Sequence, residues 1–126
     1  MNSRATLGIG SLMLSVSIAL GAMGAHGLEG AISPKYLGIW NTASLYFALN
    51  AVALMGIHGV AERMNGVHLK LIVLGSWIFS ISLWIVSLNE ILTPLCKKLG
   101  LVTPVGGVLM IVGWALIGMN QLRKTQ

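Results

Sequence analysis

Few residues in this chain are equipped for chemistry, and they stand far apart. Aspartate is absent; the carboxylates are Glu29, Glu62 and Glu90, the imidazoles His26, His58 and His68, and the one thiol Cys96. His58 and His68 with Glu62 come nearest to metal-ligand spacing, but a closed site takes a further ligand that the neighbouring residues do not supply. Solvated histidines are the expected outcome. A lone cysteine forms no intramolecular disulfide and reads as a small apolar residue in a connector. His26 is different, because it ends the run Gly21–Ala22–Met23–Gly24–Ala25–His26–Gly27, where Gly24 and Gly27 leave bare backbone beside the ring. Its imidazole is expected to bond to the Trp40–Thr42 segment or to Thr103–Gly107, as a structural or partner contact. Asn41, Thr42 and Asn50 are further polar groups in an apolar run. Without water, the Asn50 amide must find its partner on another helix.

What positions these groups follows from where charge is missing. The chain of 126 residues is 56% hydrophobic and 9% charged, with a mean hydropathy of +0.85. The charges fall into clusters at Arg4, at Glu29 and Lys35, at Glu62, Arg63 and Lys70, at Glu90, Lys97 and Lys98, and at Arg123 and Lys124. Between them lie four uncharged stretches, each close to or above the ~20 residues that a helix needs to cross a bilayer. The expected fold is all-α: an integral membrane four-helix bundle in one domain, 1–126, with spans near 5–27, 38–61, 70–89 and 103–122 and short interfacial connector helices. The first stretch ends in small residues as a signal peptide does, but it outruns the usual apolar core and is expected to remain as a helix. A net charge of +5 from basic residues placed singly or in pairs at span ends suits lipid headgroups and not nucleic acid. With alternating spans, His26 lies on one side of the membrane and His58 and His68 on the other. Within one protomer no single iron reaches two such ligands, so haem is not expected; no other cofactor, metal or catalytic residue is expected either.

Helices in lipid associate through close backbone approach, which small residues permit. Ser17, Gly21 and Ala25 in the first span, Ser44, Ala48 and Gly56 in the second, and Gly106 and Gly113 in the fourth are therefore expected to face inward. Trp40, Trp77 and Trp84 lie within two turns of span ends, as headgroup-belt residues do, whereas Trp114 is deeper and is expected to pack in the bundle. Ser33–Gly38 and Thr93–Gly100 share a hydroxyl, a proline and a closing glycine, the pattern of two short interfacial helices and of a parallel repeat of hairpins. Arg4, Arg63, Lys70, Arg123 and Lys124 share one side against Lys35, Lys97 and Lys98, which favours both termini in the cytoplasm.

Three segments carry a resemblance: Gly21–Leu28, the Trp40–Tyr46 run, and Thr103–Pro104–Val105–Gly106–Gly107 followed by Gly113–Trp114. In this order they are similar to the small membrane proteins grouped as domain of unknown function 423, or UPF0382. The resemblance implies four helices and a bacterial inner-membrane location, with relatives in mitochondria, and brings no activity with it. In one respect the chain departs from the family pattern, which has histidine in the second span where this sequence has Asn50. An interhelical hydrogen bond tolerates that exchange better than a catalytic or metal-binding role. The expected function is non-enzymatic: an accessory subunit of a membrane complex or a self-associating scaffold, in contact with lipids and with its own copies or other subunits. The alternative is an oligomeric transporter or channel for a small neutral or lipidic solute, with Asn41, Thr42 and Asn50 along its path.

Overall fold

The computed structural model describes residues 1–124, and almost all of them are helical. Four α-helices run in chain order, α1 (Ser3–Met23), α2 (Pro34–Ile57), α3 (Gly66–Ser87) and α4 (Thr103–Lys124). All four are long and apolar enough to cross a membrane. Their lengths of 21 to 24 residues correspond to roughly 32–36 Å at ~1.5 Å per residue, just more than the hydrocarbon thickness.

Local chemistry sets where each helix begins. Asn2 Oδ1 accepts from Ala5 N at 2.7 Å and Asn65 Oδ1 from Val67 N at 2.9 Å, so asparagine caps both α1 and α3. α2 starts on Pro34, whose fixed φ suits the first turn. Its Ser33 hydroxyl does not cap; instead the Ser33 N–H donates to Glu90 Oε2 at 2.7 Å, placing a carboxylate from the far end of α3 on the N-terminus of α2. Ser3 N donates likewise to Glu62 Oε1 at 3.2 Å. Of the two connectors expected to form helices of their own, only the second does: Pro94–Leu101 is a 3₁₀ helix capped by Thr93. In the first, Pro34–Gly38 is simply the opening of α2, so the two connectors do not take the same shape. α1 runs into a π-helical turn, Gly24–Leu28, before Gly30 turns the chain at φ +79°.

The helices pack in sequence, α1 on α2, α2 on α3 and α3 on α4, with α3 the most buried. The buried positions of α1 are Thr6, Gly10, Met13 and Ser17, and those of α4 are Gly106, Met110, Gly113 and Ile117. Alternating steps of three and four are the spacing of a left-handed seam. The outward positions carry large apolar residues such as Leu12, Val108 and Ile111, a pattern that lipid solvates and water does not.

This packing corrects several expectations. On the proposed first-span stripe Ser17 is buried, but Ala25 is exposed and a Cβ on Gly21 would meet nothing within 4 Å; Gly10 makes the close approach instead, against Met55 and the Ala51 carbonyl. Gly56 is likewise open. Trp40 and Trp84 are not belt residues, being 2% and 6% exposed. Their indoles donate to Leu20 O at 2.7 Å and Ser44 Oγ at 3.1 Å, and Phe47 sits edge-on to Trp77 and Trp84 at 4.7 and 5.3 Å. With Ser17 donating to Ser44 O and Ser80 to Ala43 O, hydroxyls and indoles fasten α1, α2 and α3 together.

Candidate functional site

The site arises because α4 and α2 hold α3 by different means. α4 lies very close to α3: a Cβ on Gly75 would stand 2.7 Å from Gly106 O, one on Gly106 2.7 Å from Gly75 O and in collision with Phe79 N, and one on Gly113 2.6 Å from Ile72 Cγ1. α2 instead meets α3 through Phe47 and the tryptophans. Between α2 and α4 a cleft of about 840 Å³ remains, walled by Thr42, Tyr46, Leu49, Asn50 and Ala53 on one side and Gly107, Met110, Ile111 and Trp114 on the other, with Phe79 of α3 as its floor. These residues occupy the middle of both helices, so the cleft opens sideways, toward where the acyl chains of a bilayer would lie.

Asn50 bridges the cleft. Its Nδ2 donates to Tyr46 O one turn back at 2.9 Å and to Met110 Sδ at 3.2 Å, and its Oδ1 accepts from Trp114 Nε1 at 2.8 Å. Both amide protons and the carbonyl are thus engaged, and Asn50 is 7% exposed. Tyr46 stacks edge-on against Phe79 with ring centres 5.5 Å apart. The Thr42 hydroxyl returns to Gly38 O at 2.9 Å. The walls therefore present apolar and aromatic surface, with most of their polarity already satisfied.

Of the residues singled out from sequence, Thr42, Asn50, Gly107 and Trp114 meet at this cleft, with Asn50 bonded to another helix and Trp114 packed within the bundle. Gly106 and Gly113 do not line it but form the α3–α4 seam that shapes it, and Pro104 is exposed in the first turn of α4. Asn41 lies elsewhere: with Trp40 it closes over Gly24, so the polar line through Asn41, Thr42 and Asn50 is split between two faces of α2. His26 is a correction. It is exposed and its ring makes no hydrogen bond among the described residues, because the place expected for it is filled by Trp40 reaching α1 directly. Gly24 is needed there, since a Cβ would stand 2.7 Å from Trp40 Cδ1, whereas one on Gly27 would make only an ordinary contact at 3.5 Å. His58 Nδ1 donates to Met55 O at 2.6 Å. Among the described residues no three of His, Cys, Asp and Glu are grouped to hold a metal. Sequence reasoning missed Tyr46, Met110 and Phe79. The first two lie four residues before Asn50 and Trp114, a spacing that signals a shared face, but nothing in the sequence points to Phe79.

The model of a family described as a protein of unknown function (DUF423) matches residues 20–107, from the end of α1 to the first turns of α4. The chain belongs to the DUF423 family. Similar proteins include a UPF0382 membrane protein of Staphylococcus aureus, 39% identical over 113 residues that cover 86% of this chain and 88% of that one. A UPF0382 membrane protein of Bacillus subtilis is 36% identical over 114 residues, covering 86% and 89%. No solved structure matches. The DUF423 match takes in the α2 wall of the cleft, its Phe79 floor and Gly107, and stops before Trp114.

Proposed function

We propose that this DUF423 chain is a non-enzymatic membrane protein that draws a lipidic molecule from the bilayer into the cleft between α2 and α4. The cleft itself carries the reading: about 840 Å³ of apolar space opens along the middle of two spanning helices, with its central amide already satisfied by protein. A water-soluble solute would gain almost nothing from such walls, whereas a hydrocarbon chain fills them without desolvating a polar group. Lateral entry also needs no aqueous pore, which four helices are too few to enclose. The location proposed is the bacterial inner (plasma) membrane with both termini cytoplasmic, on the strength of the five basic residues on that side against three.

A second reading, an accessory subunit or self-associating scaffold, is favoured by Gly8, Gly21, Gly56 and Gly118. A Cβ on any of them would meet nothing within 4 Å, leaving shallow places where a partner helix or a second copy gains close approach. Native mass spectrometry of protein extracted in mild detergent separates the two. The lipid reading expects a retained lipid-class adduct that Gly107→Leu, whose side chain enters the cleft beside Phe79, removes. An adduct unchanged in that variant sinks it, and a stoichiometric protein partner without lipid decides for the second.

A further inference from the structure

Above the cleft, on the connector side of the membrane, two ammonium groups share one aromatic ring. Lys35 Nζ lies 5.5 Å and Lys97 Nζ 5.7 Å from the centre of the Tyr36 ring. Lys35 is the second residue of α2 and Lys97 belongs to the 3₁₀ helix that leads into α4, so the pair joins the two elements whose continuations wall the cleft. Among the described residues neither ammonium is paired with a carboxylate. On that side Glu90 accepts from the Ser33 N–H at 2.7 Å, and neither it nor Glu29 forms an ion pair with Lys35 or Lys97 among the described residues. Like charges repel, and an anion within reach of both ammonium groups is attracted by each.

The spacing links this cation pair to the cleft. Lys35 stands seven residues before Thr42, just under two turns, so its Cα lies over the same stripe of α2 and roughly 10 Å nearer the membrane surface. The cleft runs from Thr42 to Ala53, roughly 16 Å along the helix. That is about half a span, which suits an acyl chain descending through one leaflet and is too short to seat a whole transmembrane helix.

We propose that Lys35, Tyr36 and Lys97 hold the phosphate of an anionic glycerophospholipid whose acyl chain occupies the α2–α4 cleft. This deepens, and rests on, the lipid reading of the cleft. Recognition of the headgroup adds charge selectivity to a pocket that by itself would accept any chain, since a juxtamembrane lysine favours anionic lipid about fivefold.

The full chain in mild detergent is titrated with phosphatidylglycerol, phosphatidylcholine and glycerol phosphate, and bound molecules are counted by native mass spectrometry. Phosphatidylglycerol is expected to bind tighter than phosphatidylcholine. Lys35→Gln and Lys97→Gln each weaken phosphatidylglycerol about fivefold and phosphatidylcholine, whose choline offsets its phosphate charge, by less; Gly107→Leu weakens both lipids, and glycerol phosphate without a chain does not compete. Equal binding of the two lipids overturns headgroup recognition but leaves the cleft reading standing. Phosphatidylglycerol that survives Gly107→Leu yet is lost in the lysine variants, or that is displaced by glycerol phosphate, overturns the joined site. A wild-type protein that retains neither lipid sinks both readings. Ala53→Leu serves as the second cleft-filling variant should circular dichroism show that Gly107→Leu has not folded.

Discussion

An amide in the middle of a spanning helix has no water to fall back on, and Asn50 meets that constraint by bonding to Tyr46, Met110 and Trp114. Asn50→Leu leaves the Trp114 indole without an acceptor at the cleft wall, and is expected to cost about 1 kcal/mol of stability in detergent. Trp114→Phe should cost less once Asn50 is already leucine, with a coupling of roughly 0.6 kcal/mol between the two, the average for such membrane bonds. Thermal unfolding of the four proteins of the cycle measures this; strict additivity would show that the bond does no stabilising. Asn50 was legible as a buried contact because its chemistry leaves no alternative. His26 was misread for the opposite reason, since an imidazole at a span end is at ease in water and nothing compels it inward. The constraint in that run falls on Gly24, where a Cβ would stand 2.7 Å from the buried Trp40 indole. Gly24→Val is therefore expected to destabilise by about 2 kcal/mol through overpacking, while His26→Ala leaves the melting temperature within error. A reversal of that order would restore the histidine contact.

Helices in lipid are held by how near their backbones come, and the three seams here differ in that respect. Those charge-free stretches revealed four helices because burying charge in lipid is costly at every position. Gly106 and Gly113 were legible as a seam because seven residues bring a helix back to the same face. What the sequence left hidden was rotation. A tryptophan near a span end reads as a belt residue, yet Trp40 and Trp84 turn inward because Gly24 and Ser44 on neighbouring segments leave room and an acceptor for them. Such complementarity across helices has no local signature. The seam gives a sharp contrast between glycines. Gly106→Ala sets a methyl against Phe79 N and Gly75 O, backbone atoms that move only if α4 lifts off α3, and should cost about 3 kcal/mol. Gly118→Ala, open on the same helix, should instead stabilise by about 0.5–1 kcal/mol as alanine restricts the unfolded chain. Detergent melts of the two variants check this, and equal effects would mean that α4 does not lie so close.

At the scale of the whole molecule, two sets of contacts tie the chain ends and loops into opposite faces. On one, Ser3 N meets Glu62 Oε1 and Lys124 Nζ meets Arg63 O at 3.1 Å, so the start of α1, the 58–65 loop and the end of α4 belong together. On the other, Ser33 N meets Glu90 Oε2, and Lys35 and Lys97 share Tyr36. The first face carries Arg4, Arg63, Lys70, Arg123 and Lys124, the second Lys35, Lys97 and Lys98. Basic residues are retained on the cytoplasmic side during insertion, so the first face is expected inside. Cys96 makes the test direct, because it is the single cysteine, is partly accessible, and lies on the second face in the 3₁₀ connector. A membrane-impermeant maleimide added to spheroplasts should label Cys96 in the wild type. In a Cys96→Ser, Asn65→Cys protein it should label only after permeabilisation. The reverse pattern would put the connector in the cytoplasm and overturn the orientation. It would also move the Lys35–Lys97 pair to the leaflet whose surface is already anionic, where its selectivity for charged lipid would have to be measured against that background.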